Sequence, residues 1–486
     1  MSTTTPLVDG ERDGPGDGPG DGHGPDGSRG DGDSEGDGSH PADDRARVPA
    51  FAVGAPTLVP GSAEIEETGL RLAPAAAVGD EPLAANRDFW TVLIGQGISS
   101  FGDAVTNTAL PLLVLGLTGS GFVMGIVGVL STLPDLVMGL PAGAYADRWS
   151  RRRMMFWADV GRATLTALVP LSVWLGGPTI AVILLVAFPI NVLRVIWIAG
   201  YTAAVPGLVG RSHIARANAI FEAVFNVGWI VGPALAGILA ATIGPGPTIA
   251  LDAATFAVSA GAMLLVHREL RPEPRAETPH LLDDIREGVR FVLGQPTLRS
   301  VIALWTTQQV LLAGLTTALI FYITIDRGLG PSVVGVVLSA FAIGGLGGAL
   351  VAARLRYAAV GRVMLSGIIV TGGLLMLVGL GVPVWLIVAT AFISGLLMSN
   401  VLVSYVTLRT QLSPDALLGR IGSTARTASV GLMPIGALAT GALLDAIGGT
   451  ATLVLMGGAM AAAGALFALL PNVRRAVVPR PTPAAG

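Results

Sequence analysis

The chain has no cysteine, no lysine and only five histidines in 486 residues. Without cysteine there is no disulfide framework, thiolate metal site or thiol nucleophile. Five scattered histidines make no dense imidazole site, so no metal is expected. Without lysine a Gly-x-x-x-x-Gly-Lys-Ser/Thr phosphate loop cannot exist, which excludes nucleotide-driven pumping by this chain alone. All 30 basic residues are arginine; with the alanine and glycine load, this reads as genomic base composition rather than chemistry. Charge is scarce as well. Charged residues make up 13% of the chain, about half the 25% typical of soluble proteins. That cannot clothe a globule of this size, and it argues against a soluble enzyme, a nucleic-acid binder or a coiled coil. No Ser-His-Asp arrangement presents itself, so neither enzymatic activity nor a cofactor is expected.

What is present is apolar surface. Hydrophobic residues make up 52% and the mean hydropathy is +0.67. These averages combine two different polymers. Residues 1–87 hold 17 acidic and six basic residues, a net of −11, and Gly10 to Gly38 is mostly Gly, Asp and Pro. Such a segment has little to bury and repels itself, so a solvated, disordered tail is expected. It lacks the basic start and apolar run of a signal peptide. The remaining residues carry a net of +8.

From Phe89 the chain is built of long apolar stretches, and a helix needs about 20 such residues to cross a bilayer. Twelve spans are expected, at 89–116, 122–146, 154–175, 178–205, 218–243, 246–266, 299–325, 331–353, 363–380, 383–408, 421–445 and 450–471. Arginines collect in alternate connections, among them Arg148, Arg151, Arg152 and Arg153 after the second span and Arg211 and Arg216 after the fourth. The intervening connections, such as Gly176-Gly177-Pro178 and Gly448-Gly449-Thr450, are short and almost uncharged. The positive-inside rule then places both termini and every Arg-rich connection in the cytoplasm of a multi-pass protein of the cell inner membrane. The longest connection divides the chain into six plus six. Expected units are a tail at 1–87, a bundle at 88–266, a linker at 267–298, a second bundle at 299–473 and a tail at 474–486. Within the linker, residues 283–292 read as an amphipathic helix on the membrane surface, with a partner-binding segment as the alternative.

A shift of 204 residues superposes Arg216 on Arg420, Gly232 on Gly436, Gly237 on Gly441 and Tyr201 on Tyr405. This constant offset points to a parallel duplication. The fold class is therefore all-α integral membrane: twelve helices in two pseudo-symmetric six-helix bundles around a central cavity, with substrate near the midplane.

Ionisable groups inside spans are costly unless paired or hydrated, and so mark function. Gln96, Ser100, Asp103 and Asn107 recur at helical spacing as a polar stripe on the first span. Asp103 is the first candidate for proton coupling, since burial favours the protonated form of a carboxylic acid and an alternately opening cavity changes that balance. Asp135 of the second span, near Pro134, is either structural or proton-linked. Arg194, Trp197 and Tyr201 share one face of the fourth span, as a cavity wall that stacks aromatic substrates or as a packed interface. Trp305, Gln309, Ser394 and Met398 are further cavity candidates. Asp159 and Arg162, three apart, read as a local structural pair. Glu222 and Arg426 stand at equivalent positions of the two halves, as an interdomain contact or with separate local partners. Asp252 lies close to a span end and is less informative. Gly228, Gly232 and Gly237, with Pro233, allow close helix approach and a kink.

The segment Gly143-Ala144-Tyr145-Ala146-Asp147-Arg148-Trp149-Ser150-Arg151-Arg152, with Ser150 in place of a second glycine, resembles the signature loop of the major facilitator superfamily. Gly228-Trp229-Ile230-Val231-Gly232-Pro233-Ala234-Leu235-Ala236-Gly237 is similar to the glycine-proline motif of its drug-proton antiporters. Ile214 to Ala219 and Leu418-Gly419-Arg420 resemble the macrolide and siderophore exporter branch. The resemblance implies a secondary active exporter of a small amphipathic molecule, driven by the proton gradient and acting as a monomer without nucleic-acid partners. It also implies a gating role for Gly143, Asp147, Arg148, Arg151 and Arg152. An importer on the same fold, or a non-transporting sensor or scaffold, is the alternative.

Overall fold

The structure is a computed structural model that describes residues 82–268, 270, 281–354 and 360–477. Nearly all of the expected acidic tail, Arg271 and Arg275 of the linker, and the end of the second tail lie outside the described residues.

The first half comprises α1 (Arg87–Thr118), α2 (Gly121–Arg148), α3 (Arg151–Trp174), α4 (Thr179–Val209), α5 (Ile214–Thr242) and α6 (Pro245–Leu265). The linker contains α7, Leu281–Gly294. The second half opens with α8 (Pro296–Leu312) and α9 (Leu315–Phe321), followed by a π-type turn over Tyr322–Asp326. It continues with α10 (Pro331–Arg354), α11 (Val360–Gly379), α12 (Val384–Gln411), α13 (Leu418–Ala468) and α14 (Pro471–Arg474). Two expected boundaries differ in form. The seventh span is interrupted at Gly314, whose missing side chain leaves room for Thr440. The last two spans form one helical run, broken where Gly448 adopts φ 78° and ψ 172°; only glycine takes such a conformation at no steric cost.

Among the described residues, ten helical segments are long and apolar enough to cross a membrane. α3 is the exception because Asp159 and Arg162 interrupt its apolar run. With α3 included and the two arms of α13 separated, the spans number twelve.

The cores show how the halves meet. At the ends with short, uncharged connections, one apolar core joins both halves, including Leu113, Val127, Ile183, Tyr322, Val334 and Leu444. At the Arg-rich ends there are two cores. One is built in the first half around Phe89, Met155, Trp197 and Leu208, and the other in the second half around Leu298, Met364, Tyr405 and Ile421. The halves therefore close on each other at one end and part toward the other.

Small residues make the closed end possible. A Cβ added to Gly237 of α5 would stand 2.7 Å from the Pro331 carbonyl oxygen of α10. One added to Gly441 would stand 2.5 Å from the Gly121 carbonyl oxygen of α2. These two glycines are related by the 204-residue offset, and each seats its helix on the opposite half. Ser339 of α10 donates to the Ile230 carbonyl of α5 at 2.7 Å. Asp445 of α13 accepts from Ser120 Oγ (2.6 Å) and from the backbone N–H groups of Gly121 (2.6 Å) and Phe122 (3.2 Å). It thus satisfies free amides in the first turn of α2 from across the interface.

Candidate functional site

Four helices of the first half meet at one charged cluster, three of them supplying the charges and α4 a hydrogen-bond donor. Asp103, in the middle of α1, retains 22% side-chain exposure and accepts from Arg162 Nη2 of α3 at 2.5 Å. Arg162 is 1% exposed and lies over the Phe256 ring of α6 at 3.9 Å. Its Nη1 is 3.9 Å from Asp159 Oδ1. The other Asp159 oxygen accepts from Trp197 Nε1 of α4 (3.0 Å) and Ser259 Oγ of α6 (2.7 Å). Asp159 Oδ1 and Arg162 Nε have no hydrogen-bond partner. Asp252 of α6 is also buried; it accepts from Thr255 Oγ1 at 3.2 Å and lies against Gly102, beside Asp103. Three carboxylates thus gather around one guanidinium. The local i, i+3 pair expected on α3 is the looser contact, because the buried guanidinium reaches across to α1. Asp252, discounted in the sequence as a span-end residue, is part of this cluster.

A second acid stands between the halves. Asp135 of α2 is 2.5 Å from Arg194 Nη2 of α4 and 4.0 Å from Arg426 Nη2 of α13. Arg194 Nε also donates to Asn191 Oδ1 at 3.1 Å. No ion pair joins Arg426 to Glu222 among the described residues. The first arm of α13 runs along α2, with Ala437 and Gly441 against Gly125, and this brings Arg426 to the level of Asp135. Glu222 is half-buried, and its carbonyl accepts from Asn226.

The other candidate side chains divide between the opening and the bundle interiors. Asn107 is exposed and donates to the Asp103 carbonyl at 2.8 Å. Gln96 and Ser100 are buried and bonded to each other at 3.1 Å. Trp197 and Tyr201 are buried too. They stack at 5.5 Å, and Tyr201 stacks on Phe221 at 4.3 Å. This is a packed core, and of the three-residue stripe Arg194 alone reaches the space between the halves. In the second half Trp305 stacks on Tyr405 at 4.5 Å. Gln309, Ser394 and Met398 are half-buried, and Met398 Sδ accepts from Gln308 at 2.8 Å.

The Arg-rich loop has a local structural role. Arg152 donates to the Met263 and Leu264 carbonyls at 2.9 and 3.1 Å, at the end of α6. The backbone N–H of Arg151 donates to the Leu270 carbonyl at 3.1 Å. Arg148 is exposed, and the surroundings of Gly143 and the Asp147 side chain lie outside those described. In the glycine motif, Gly228 and Gly232 pack on α1, where a Cβ on Gly232 would stand 2.5 Å from Ala104 Cβ, whereas Gly237 packs across the interface. The Asp445 contact was missed in the sequence; an acid at the uncharged-connection end of its span was its signal.

Comparison with known proteins agrees with this architecture. A family model described as transmembrane secretion effector matches residues 81–479. Over 391 residues the chain is 31% identical to the multidrug efflux pump Tap of Mycolicibacterium fortuitum, covering 79% of this chain and 95% of that protein. It is 27% identical over 413 residues to the enterobactin exporter EntS of Citrobacter koseri, covering 81% and 94%. A bacterial homologue of the iron transporter ferroportin, solved in an inward-facing state, shares the fold with a TM-score of 0.64 at 15% identity, over 80% of this chain and 98% of that one.

Proposed function

The chain belongs to the transmembrane secretion effector family of the major facilitator superfamily, and from that premise we propose that it exports a small amphipathic molecule by alternating access, with protons as the driving ion. The observation that carries this reading is the acid–arginine cluster between Asp103 and Asp252, placed where a cavity between two closable halves can reach it. Export is favoured by the relatives described as a multidrug efflux pump and an enterobactin exporter. With the Arg-rich connections in the cytoplasm, the present arrangement is open inward and closed outward.

Asp103 has access to the opening, whereas Asp159 and Asp252 do not. Proton uptake at Asp103 removes the charge that holds Arg162. The guanidinium then has a second partner within reach, the unbonded Asp159 oxygen 3.9 Å away. Breaking the Asp103–Arg162 contact loosens α1 from α3 while Arg162 stays neutralised inside its own half. A cationic group of the substrate that approaches Asp103 or Asp135 competes with the proton or with arginine, which couples the two fluxes. The test is accumulation of a panel of amphipathic drugs and siderophores in cells with and without the gene, with and without an uncoupler. Lower accumulation that the uncoupler abolishes is the expected result; gene-dependent accumulation that rises would make the protein an importer.

A further inference from the structure

The two halves carry the same feature on their outer flanks. In the first half the chain after α6 returns to the start of α3, where Arg151 N–H donates to the Leu270 carbonyl at 3.1 Å. In the second half the chain after the last span returns to the start of α11, where Gly361 N–H donates to the Ala476 carbonyl at 3.1 Å. Beside each junction lies an open cavity. The first, about 590 Å³, is lined by Arg152, Arg153, Phe156, Trp157 and Leu264 among others. The second, about 360 Å³, is lined by Arg362, Arg474, Arg475 and Val477. Among the described residues, neither lining contains an acid.

We propose that these cavities are a symmetry-related pair of binding sites for anionic phospholipid, one on each half. The charge complementarity is one-sided. Arg152 is held by the α6 carbonyls, but the Arg153 guanidinium forms no hydrogen bond or ion pair among the described residues. Arg362, Arg474 and Arg475 are exposed. The apolar side of the first cavity suits acyl chains: Trp157 is 64% exposed and Leu264 60% exposed, on a flank that faces lipid in a membrane. Trp and Arg at the end of a span mark the headgroup level, and basic pockets between membrane helices take anionic headgroups. A soluble anion would use the arginines alone and leave Phe156, Trp157 and Leu264 without a role. Because the cavities lie outside the space between the halves, such lipids would brace each half rather than compete with substrate.

The test is native mass spectrometry of the full chain purified with equimolar phosphatidylglycerol and phosphatidylcholine. The wild type should retain up to two phosphatidylglycerol molecules in preference to phosphatidylcholine. Arg153→Gln should remove one and Arg474→Gln with Arg475→Gln the other, each arginine lost weakening binding about fivefold, and Arg153→Lys should restore the first. Brominated phosphatidylglycerol should quench a fluorescence component that is missing from Trp157→Phe. Equal retention of the two lipids, unchanged retention in the triple variant Arg153→Gln, Arg474→Gln and Arg475→Gln, or displacement by millimolar inorganic phosphate would each overturn the proposal.

Discussion

Arg162 of α3 makes its 2.5 Å contact with Asp103 of another helix while standing 3.9 Å from Asp159 of its own. Asp103 keeps 22% side-chain exposure, whereas Asp159 is sealed in the core. Of the two acids in contact with this single buried cation, only Asp103 is within reach of water.

Asp103→Asn should insert and fold but lose export driven by a pH gradient. Asparagine keeps the shape and an acceptor oxygen but can neither gain nor lose the proton. Uptake of substrate by inverted vesicles, with and without an imposed pH gradient, measures this. Wild-type proton dependence in the variant would make Asp103 structural and turn attention to Asp135.

Arg162→Met should be far more damaging to stability. It leaves Asp159 and Asp252 buried without a cation, and breaking a buried pair from one side costs about 3–5 kcal/mol. Thermal unfolding in detergent should show a large loss of Tm. The double variant Arg162→Met with Asp159→Asn should recover part of it, because the stranded charge is gone.

Asp445→Ala should loosen the closed end. The side chain accepts three hydrogen bonds from the start of α2, and interhelical hydrogen bonds in membranes are worth about 0.6 kcal/mol on average. Loss of one such bond shifts an open–closed equilibrium about threefold. Since the chain has no cysteine, spin labels can be placed at the exposed positions Leu117 and Ile447. Pulsed dipolar distances between them should gain a longer population in Asp445→Ala, and an unchanged distribution would count against a latch.

Gly237→Val should block closure of the same end. The added side chain meets the Pro331 carbonyl and the Gly335 backbone, neither of which can yield as a flexible side chain does. Substrate binding, measured by fluorescence on purified protein, should fall less than transport in proteoliposomes. Gly232→Val, directed at Ala104 within one half, should instead lower Tm.

The twelve spans, the six-plus-six division and the pairing of Gly232 with Gly436 and Gly237 with Gly441 were determined by sequence alone. Each rests on a local property: the length of an apolar run, the arginines between runs, or a constant offset. The stripe Gln96–Asn107 and the stripe Arg194–Tyr201 follow from helical periodicity, which determines which side chains share a side. Which neighbour a face meets depends on how each helix is rotated and crossed against the others, and only the tertiary structure decided that. It buried Trp197 against Asp159, carried Arg162 across to Asp103, and matched Arg426 with Asp135 rather than Glu222. It also placed Asp445 over the first turn of α2. An arginine side chain reaches several ångströms from its helix, so its partner is chosen by packing and not by its position in the chain.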